Sequence, residues 1–75
     1  MGQLLLYATS GCHLCEEAQE VIRRALGLPV EEVDIALDET LLARYGVRIP
    51  VLRRVDTGAE IGWPFGEEEV RVLVE

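Results

Sequence analysis

Both cysteines of the chain and its single histidine stand in one tetrapeptide, Cys12-His13-Leu14-Cys15. Two thiols three residues apart at the start of a helix face one another across a single turn. A pair so placed suits either thiol–disulfide exchange or ligation of a soft metal. Exchange requires a thiolate, and a free thiol with pKa ~8.5 is only about 3% ionised at pH 7. A helix N-terminus worth ~0.3–1 kcal/mol lowers that pKa by only ~0.2–0.7 unit. Directed N–H···S⁻ hydrogen bonds must therefore add to it. His13 helps only when protonated, and Glu16, one turn on, opposes ionisation. The N-terminal sulfur lies at the open end of such a helix, so Cys12 is the attacker. Cys15 then resolves the mixed disulfide.

The surrounding pattern supplies the elements that must hold this pair. Leu4-Leu5-Leu6-Tyr7-Ala8 is a near-continuous apolar run ending in Thr9-Ser10-Gly11, as expected of a strand covered on both faces. From Cys12 to Leu26 the period becomes helical, with Leu14, Ala18, Val21, Ile22 and Ala25 on the inward face. Gly27 stops this helix and Pro29 lies just beyond. Val30 to Ile35 reads as a second strand. Asp38 is positioned to N-cap a second helix that carries Leu41, Leu42 and Tyr45 inward and closes at Gly46. Val51-Leu52 begins a third strand. The turn signal Asp56-Thr57-Gly58 joins it to Ala59-Glu60-Ile61 as a hairpin. Glu67 to Glu75 fits both a helix and an alternating strand; three glutamates in the first turn favour the helix. The resulting order is β-α-β-α-β-β-α.

Composition narrows the function. The chain has 75 residues, which limits it to a single domain spanning 1–75. Fourteen acids against seven arginines give a formal charge of −7, which opposes nucleic-acid binding. The apolar run near the N-terminus is too short for a signal peptide or membrane span. Leu6 stands where a myristoylation signal starting at Gly2 would place Ser or Thr. The expectation is a cytoplasmic monomer with no membrane partner. In that compartment structural disulfides are rare, and a CxxC pair is redox-active or metal-binding.

Three blocks, Leu6-Tyr7-Ala8-Thr9-Ser10-Gly11-Cys12-His13-Leu14-Cys15, Glu32-Val33-Asp34-Ile35 and Leu42-Ala43-Arg44-Tyr45-Gly46-Val47-Arg48-Ile49-Pro50-Val51-Leu52, resemble the glutaredoxin-like branch of the thioredoxin superfamily over nearly the whole length. The resemblance implies an α/β fold of thioredoxin-like type, a four-stranded mixed sheet flanked by helices. It implies a cis Pro50 across from the cysteines. It implies too that free N–H and C=O groups of Ile49 pair with an extended substrate, like an added strand. Tyr7, Arg48, Gly62 and Trp63 join Ile49 and Pro50 as expected substrate-side residues, and His13 as a modulator of Cys12. The implied activity is disulfide reduction by dithiol exchange, on a protein disulfide or a glutathione mixed disulfide. A thiol reductant, with glutathione among the candidates, regenerates the pair. No metal or organic cofactor is expected.

The sequence departs from the family pattern in ways that bear on substrate. His13 and Leu14 replace the usual proline and aromatic between the cysteines, and Thr9 stands where a lysine is usual. Gly62-Trp63-Pro64-Phe65-Gly66-Glu67 lacks the Gly-Gly pair that precedes the glutathione-binding acidic cap. With the charge of −7, these differences favour dithiol exchange over glutathione itself as substrate. The alternative function is metal or iron–sulfur carriage by the same two cysteines, for which two chains would have to supply four ligands.

Overall fold

The computed structural model describes residues 3–75, so the reading of Gly2 lies outside the described residues. β1 (Leu4–Ala8) leads into α1 (His13–Leu26), β2 (Glu31–Asp34), a 3-10 turn (Ile35–Leu37) and α2 (Glu39–Tyr45). Then follow β3 (Val51–Arg54), β4 (Glu60–Gly62) and α3 (Glu67–Val74). The sheet order is β2-β1-β3-β4. β1 runs parallel to β2 and antiparallel to β3, and β3 pairs antiparallel with β4. This is the α/β thioredoxin-like arrangement, a mixed four-stranded sheet with helices on both faces. No helix among the described residues is long and apolar enough to cross a membrane.

Successive side chains of a strand point to opposite faces, and this divides the core in two. Leu6 and Leu52 face α1 and α3, where they pack with Ala18, Ile22, Phe65 and Val70. Tyr7 and Val51 face the other way and pack with Ile35 of the 3-10 turn and Tyr45 of α2. A strand buried on both faces has no polar side to present, which is why β1 reads as an unbroken apolar run.

Local chemistry sets the element ends. Gly27 takes a left-handed φ of 82° and its N–H returns to the Arg23 carbonyl, closing α1. Asp38 accepts from the N–H groups of Thr40 and Leu41 and so starts α2. Glu69 accepts from the Gly66 N–H at 2.6 Å, which settles the last segment as a helix.

Three sequence expectations need correction. The second strand ends at Asp34 rather than Ile35, because the Asp34 carboxylate takes the Ala36 N–H at 2.9 Å and turns the chain into the 3-10 segment. Leu14 and Leu42 are exposed. Leu14 lies in the first turn of α1, where Cys15, Ala18 and Ile22 form the buried stripe. In α2, a helix of only two turns, Tyr45 fills the buried position and Leu42 lies outside it. Finally, β4 is shifted one residue to Glu60–Gly62, with Gly62 opposite Val51.

Arg54 ties the end of β3 to the end of α3. Its guanidinium donates to the carbonyls of Leu73 and Glu75 at 3.0 and 3.2 Å and to Asp56 at 2.8 Å. That hydrogen bond holds the Asp56 carboxyl below the ordinary carboxylate range. Arg54→Ala is expected to lower stability by about 1 kcal/mol. It should also speed amide exchange in the last turn of α3 more than in α1, which hydrogen exchange followed by NMR would read out.

Candidate active site

β1 ends at Ala8, and the chain turns through Thr9–Gly11 into the N-terminus of α1. Gly11 makes this turn with φ 77°, a conformation that a side chain disfavours. The Cys12 N–H bonds back to the Thr9 carbonyl at 3.3 Å. Cys12 is the N-cap residue of α1, and its Sγ accepts from the Cys15 N–H at 3.2 Å. An N-cap acceptor meets the otherwise unpaired donors of a first turn, and the same donors favour a negative sulfur. Cys12 is half-buried and Cys15 buried. The two are joined as a disulfide, with Cα atoms 5.2 Å apart. One sulfur is thus open to approach and the other shielded.

His13 is 84% exposed and stands 3.8 Å from Glu16 and 3.6 Å from Glu17. Its imidazole faces these two carboxylates, and no contact joins it to the Cys12 sulfur among the described hydrogen bonds and ion pairs. Surface pairs of this kind are weak. Replacing His13 by Ala is expected to move the Cys12 thiol pKa by less than about 0.3 unit. A thiolate titration giving a rise of a full unit would overturn this.

The antiparallel register Tyr7↔Val51 brings Pro50 level with the end of β1, beside the turn that leads to Cys12. The Ile49–Pro50 and Trp63–Pro64 peptide bonds are cis. Pro50 is buried and its carbonyl accepts the Trp63 N–H at 3.1 Å. The Ile49 N–H donates to the Tyr45 carbonyl at 3.1 Å, beside that of Arg48 at 2.8 Å. This corrects the expectation of two free main-chain groups at Ile49: only its carbonyl takes no backbone hydrogen bond among the described residues.

The remaining substrate-side residues divide. Gly62 is exposed at the end of β4. Trp63 is half-buried, packed against the α1–α3 core and edge-on to Phe65, so it anchors its loop. Tyr7 is buried and stacked on Tyr45 at 4.5 Å, and presents no open surface. Arg48 lies over the Tyr45 ring and 3.9 Å from Glu60.

Two features were not read from the sequence. A shallow depression of about 270 Å³ opens beside the disulfide, and Glu16 and Glu32 line it with Thr9, Ser10 and Gly11. Glu32 arrives there from β2, a placement that only the parallel β1–β2 register reveals. The second is a polar network under α2 that joins Tyr45, Glu60, Arg48 and Arg53. The hairpin signal at Asp56–Gly58 could have found part of it, since that turn places Glu60 opposite Arg53. Burial first, and then the hydrogen bond to Glu60, push the Tyr45 phenol above its ordinary value. A larger depression of about 430 Å³ lies at the opposite end of the sheet, between Leu4, Leu26, Leu28, Val30 and Val74. It is mostly apolar, with Glu31 and Arg54 also in its lining, and none of its residues is shared with the depression beside the cysteines.

A redox-type CxxC at the head of α1, following the first strand of a four-stranded mixed sheet, defines a protein of thioredoxin-like fold. Residues 3–75 match the family model described as Glutaredoxin-like domain (DUF836), and the chain belongs to that family. It is similar to protein XcR50 from X. campestris, at 38% identity and TM-score 0.84 to the X-ray structure, covering 95% of this chain and 93% of that one. The solution structure of XcR50 gives TM-score 0.83 over 99% and 92% of the two chains. Protein Ne2328 from Nitrosomonas europaea is 28% identical with TM-score 0.74, over 95% and 88%. No curated protein matched the chain.

Proposed function

We propose that this protein is a thiol–disulfide oxidoreductase that reduces protein disulfides by dithiol exchange. The observation that carries this reading is the asymmetry of the Cys12–Cys15 pair. The two form a disulfide across the first turn of α1, with Cys12 half-exposed, Cys15 buried, and the Cys15 N–H directed at the Cys12 sulfur.

In the reduced protein, the Cys12 thiolate attacks one sulfur of a substrate disulfide. The substrate S–S bond breaks, a Cys12–substrate disulfide forms, and the first substrate thiolate leaves and takes up a proton. Cys15 then gives up its proton and attacks the Cys12 sulfur, releasing the second substrate thiol. The substrate gains two electrons and the pair becomes the intramolecular disulfide. A cellular thiol donor, either one dithiol or two monothiols, returns the two electrons. The substrate main chain lies against Ile49–Pro50 and donates to the Ile49 carbonyl, while Gly62 borders the groove.

The acids beside the disulfide bear on the choice of substrate. Glutathione is anionic, and Glu16 and Glu32 line the depression next to Cys12 in a chain of charge −7. Electrostatic steering therefore favours a protein disulfide over a glutathione mixed disulfide. The test is reductase activity on an oxidised protein substrate with either glutathione or a thioredoxin reductase as electron donor, together with the potential of the pair. A potential of about −270 mV with turnover from the reductase is the expected result. No turnover with either donor would end this reading.

A further inference from the structure

Tyr45 is held at three points. Its ring stacks on Tyr7 at 4.5 Å, its hydroxyl donates to the Glu60 carboxylate of β4, and its carbonyl accepts from the N–H groups of Arg48 and Ile49. The residue is fully buried although it ends a helix of only two turns. Glu60 has three neighbours: the Tyr45 hydroxyl, Arg53 at 3.8 Å across the β3–β4 ladder, and Arg48 at 3.9 Å. Arg48 also lies over the Tyr45 ring, 5.6 Å from its centre. Its side chain is therefore drawn to Glu60 and Tyr45 while its main chain is drawn to the Tyr45 carbonyl. The segment entering Ile49–Pro50 is fastened from both sides, and both fastenings converge on Glu60.

A short connection without such ties samples many conformations, and ordering it on binding weakens affinity. The stacked ring fixes where Tyr45 lies. The hydroxyl fixes how far α2 sits from β4, and hence where its carbonyl meets Ile49. We propose that Tyr45 and Glu60 form a latch that positions the Ile49 main chain for substrate pairing, making both of them positioning residues. This rests on the oxidoreductase reading above. It predicts a defect confined to substrates that carry a main chain. A peptide disulfide is recognised along Ile49, whereas bis(2-hydroxyethyl) disulfide reaches the sulfur of Cys12 with no backbone to align.

The test compares the full-length protein with Tyr45→Phe, which keeps the stacked ring and loses only the hydroxyl, and with Glu60→Gln, which keeps an acceptor and loses the charge. Exchange of the Ile49 amide, measured relative to that of Ile22 in α1, should speed up about fivefold in Tyr45→Phe, the factor for one net hydrogen bond. KM for an oxidised, end-blocked cysteine tripeptide should rise about fivefold with kcat unchanged. Bis(2-hydroxyethyl) disulfide should react within twofold of the wild-type rate. Glu60→Gln should show the smaller version of the same pattern. Unchanged relative exchange at Ile49 in both variants would overturn the latch, as would equal losses on the two disulfides or a lowered peptide KM. If the wild-type protein reduces neither disulfide, the oxidoreductase reading falls, and the exchange ratio still decides the latch.

Discussion

Cys12→Ser is expected to abolish disulfide reductase activity, with a loss of about a thousandfold or more. A hydroxyl at the same N-cap can accept the Cys15 N–H as the sulfur does, so folding and the start of α1 should survive. What disappears is the atom that enters the substrate disulfide. Cys15→Ser should behave differently. The first attack remains, so a Cys12–substrate disulfide should accumulate and be visible as a mass increase under non-reducing conditions. Only its resolution slows, by an extent that depends on external thiol. Cys15 is buried, and for that reason it should not substitute as the attacker when Cys12 is absent. The measurement is initial rates for both variants on an oxidised protein substrate, together with intact mass. Full activity in Cys12→Ser would remove the basis of the proposed function.

Leu6→Ala is expected to cause the largest loss of stability, about 2–5 kcal/mol. Leu6 is fully buried at the centre of the α1–α3 face of the sheet, among Ala18, Ile22, Leu52 and Val70. A chain of 75 residues has roughly 4–11 kcal/mol in total. The substitution therefore removes a large share of it, and a fall in Tm of roughly 8 °C or more should follow. Thermal unfolding of the oxidised protein measures this. Leu37→Ala serves as the comparison, since Leu37 is 86% exposed in the 3-10 turn. Its effect should stay within about 0.5 kcal/mol. Equal losses in the two variants would contradict the burial pattern.

These two substitutions fall on what was most legible in the sequence. The two-faced burial of β1 is written into Leu4–Ala8, because a strand covered on both sides must be apolar at every position. The pairing of Cys12 with Cys15 follows from helical spacing alone, and the stop at Gly27 and the start at Asp38 follow from capping chemistry. Leu14 and Leu42 misled, because apolar spacing marks a helical stripe without saying how far the neighbouring sheet extends to cover it. The substrate side was legible as a segment and not as a set of contacts. Ile49–Pro50 could be located, but whether the Ile49 N–H was free depended on Tyr45, four residues earlier and turned back by α2. Arg48 looked open to a ligand because its partner, Glu60, reaches it only through the hairpin register. Contacts that depend on register across a sheet have no signature in local sequence.

The closeness of Cys12 and Cys15 along the chain has a thermodynamic consequence for the redox cycle. A bond spanning three positions closes a very small ring, and in the chain-entropy account it restrains the unfolded state by only about 2 kcal/mol. Linkage makes this reciprocal: whatever oxidation adds to folding, folding adds to oxidation. About 2 kcal/mol corresponds to roughly 40 mV for a two-electron couple. Folding therefore biases the pair toward the disulfide by roughly twentyfold, and reduction gives back the same about 2 kcal/mol of stability. The rest of the bias must be supplied locally, by the few donors and charges at the head of α1. Substitutions there can retune the direction of electron flow while leaving the scaffold intact.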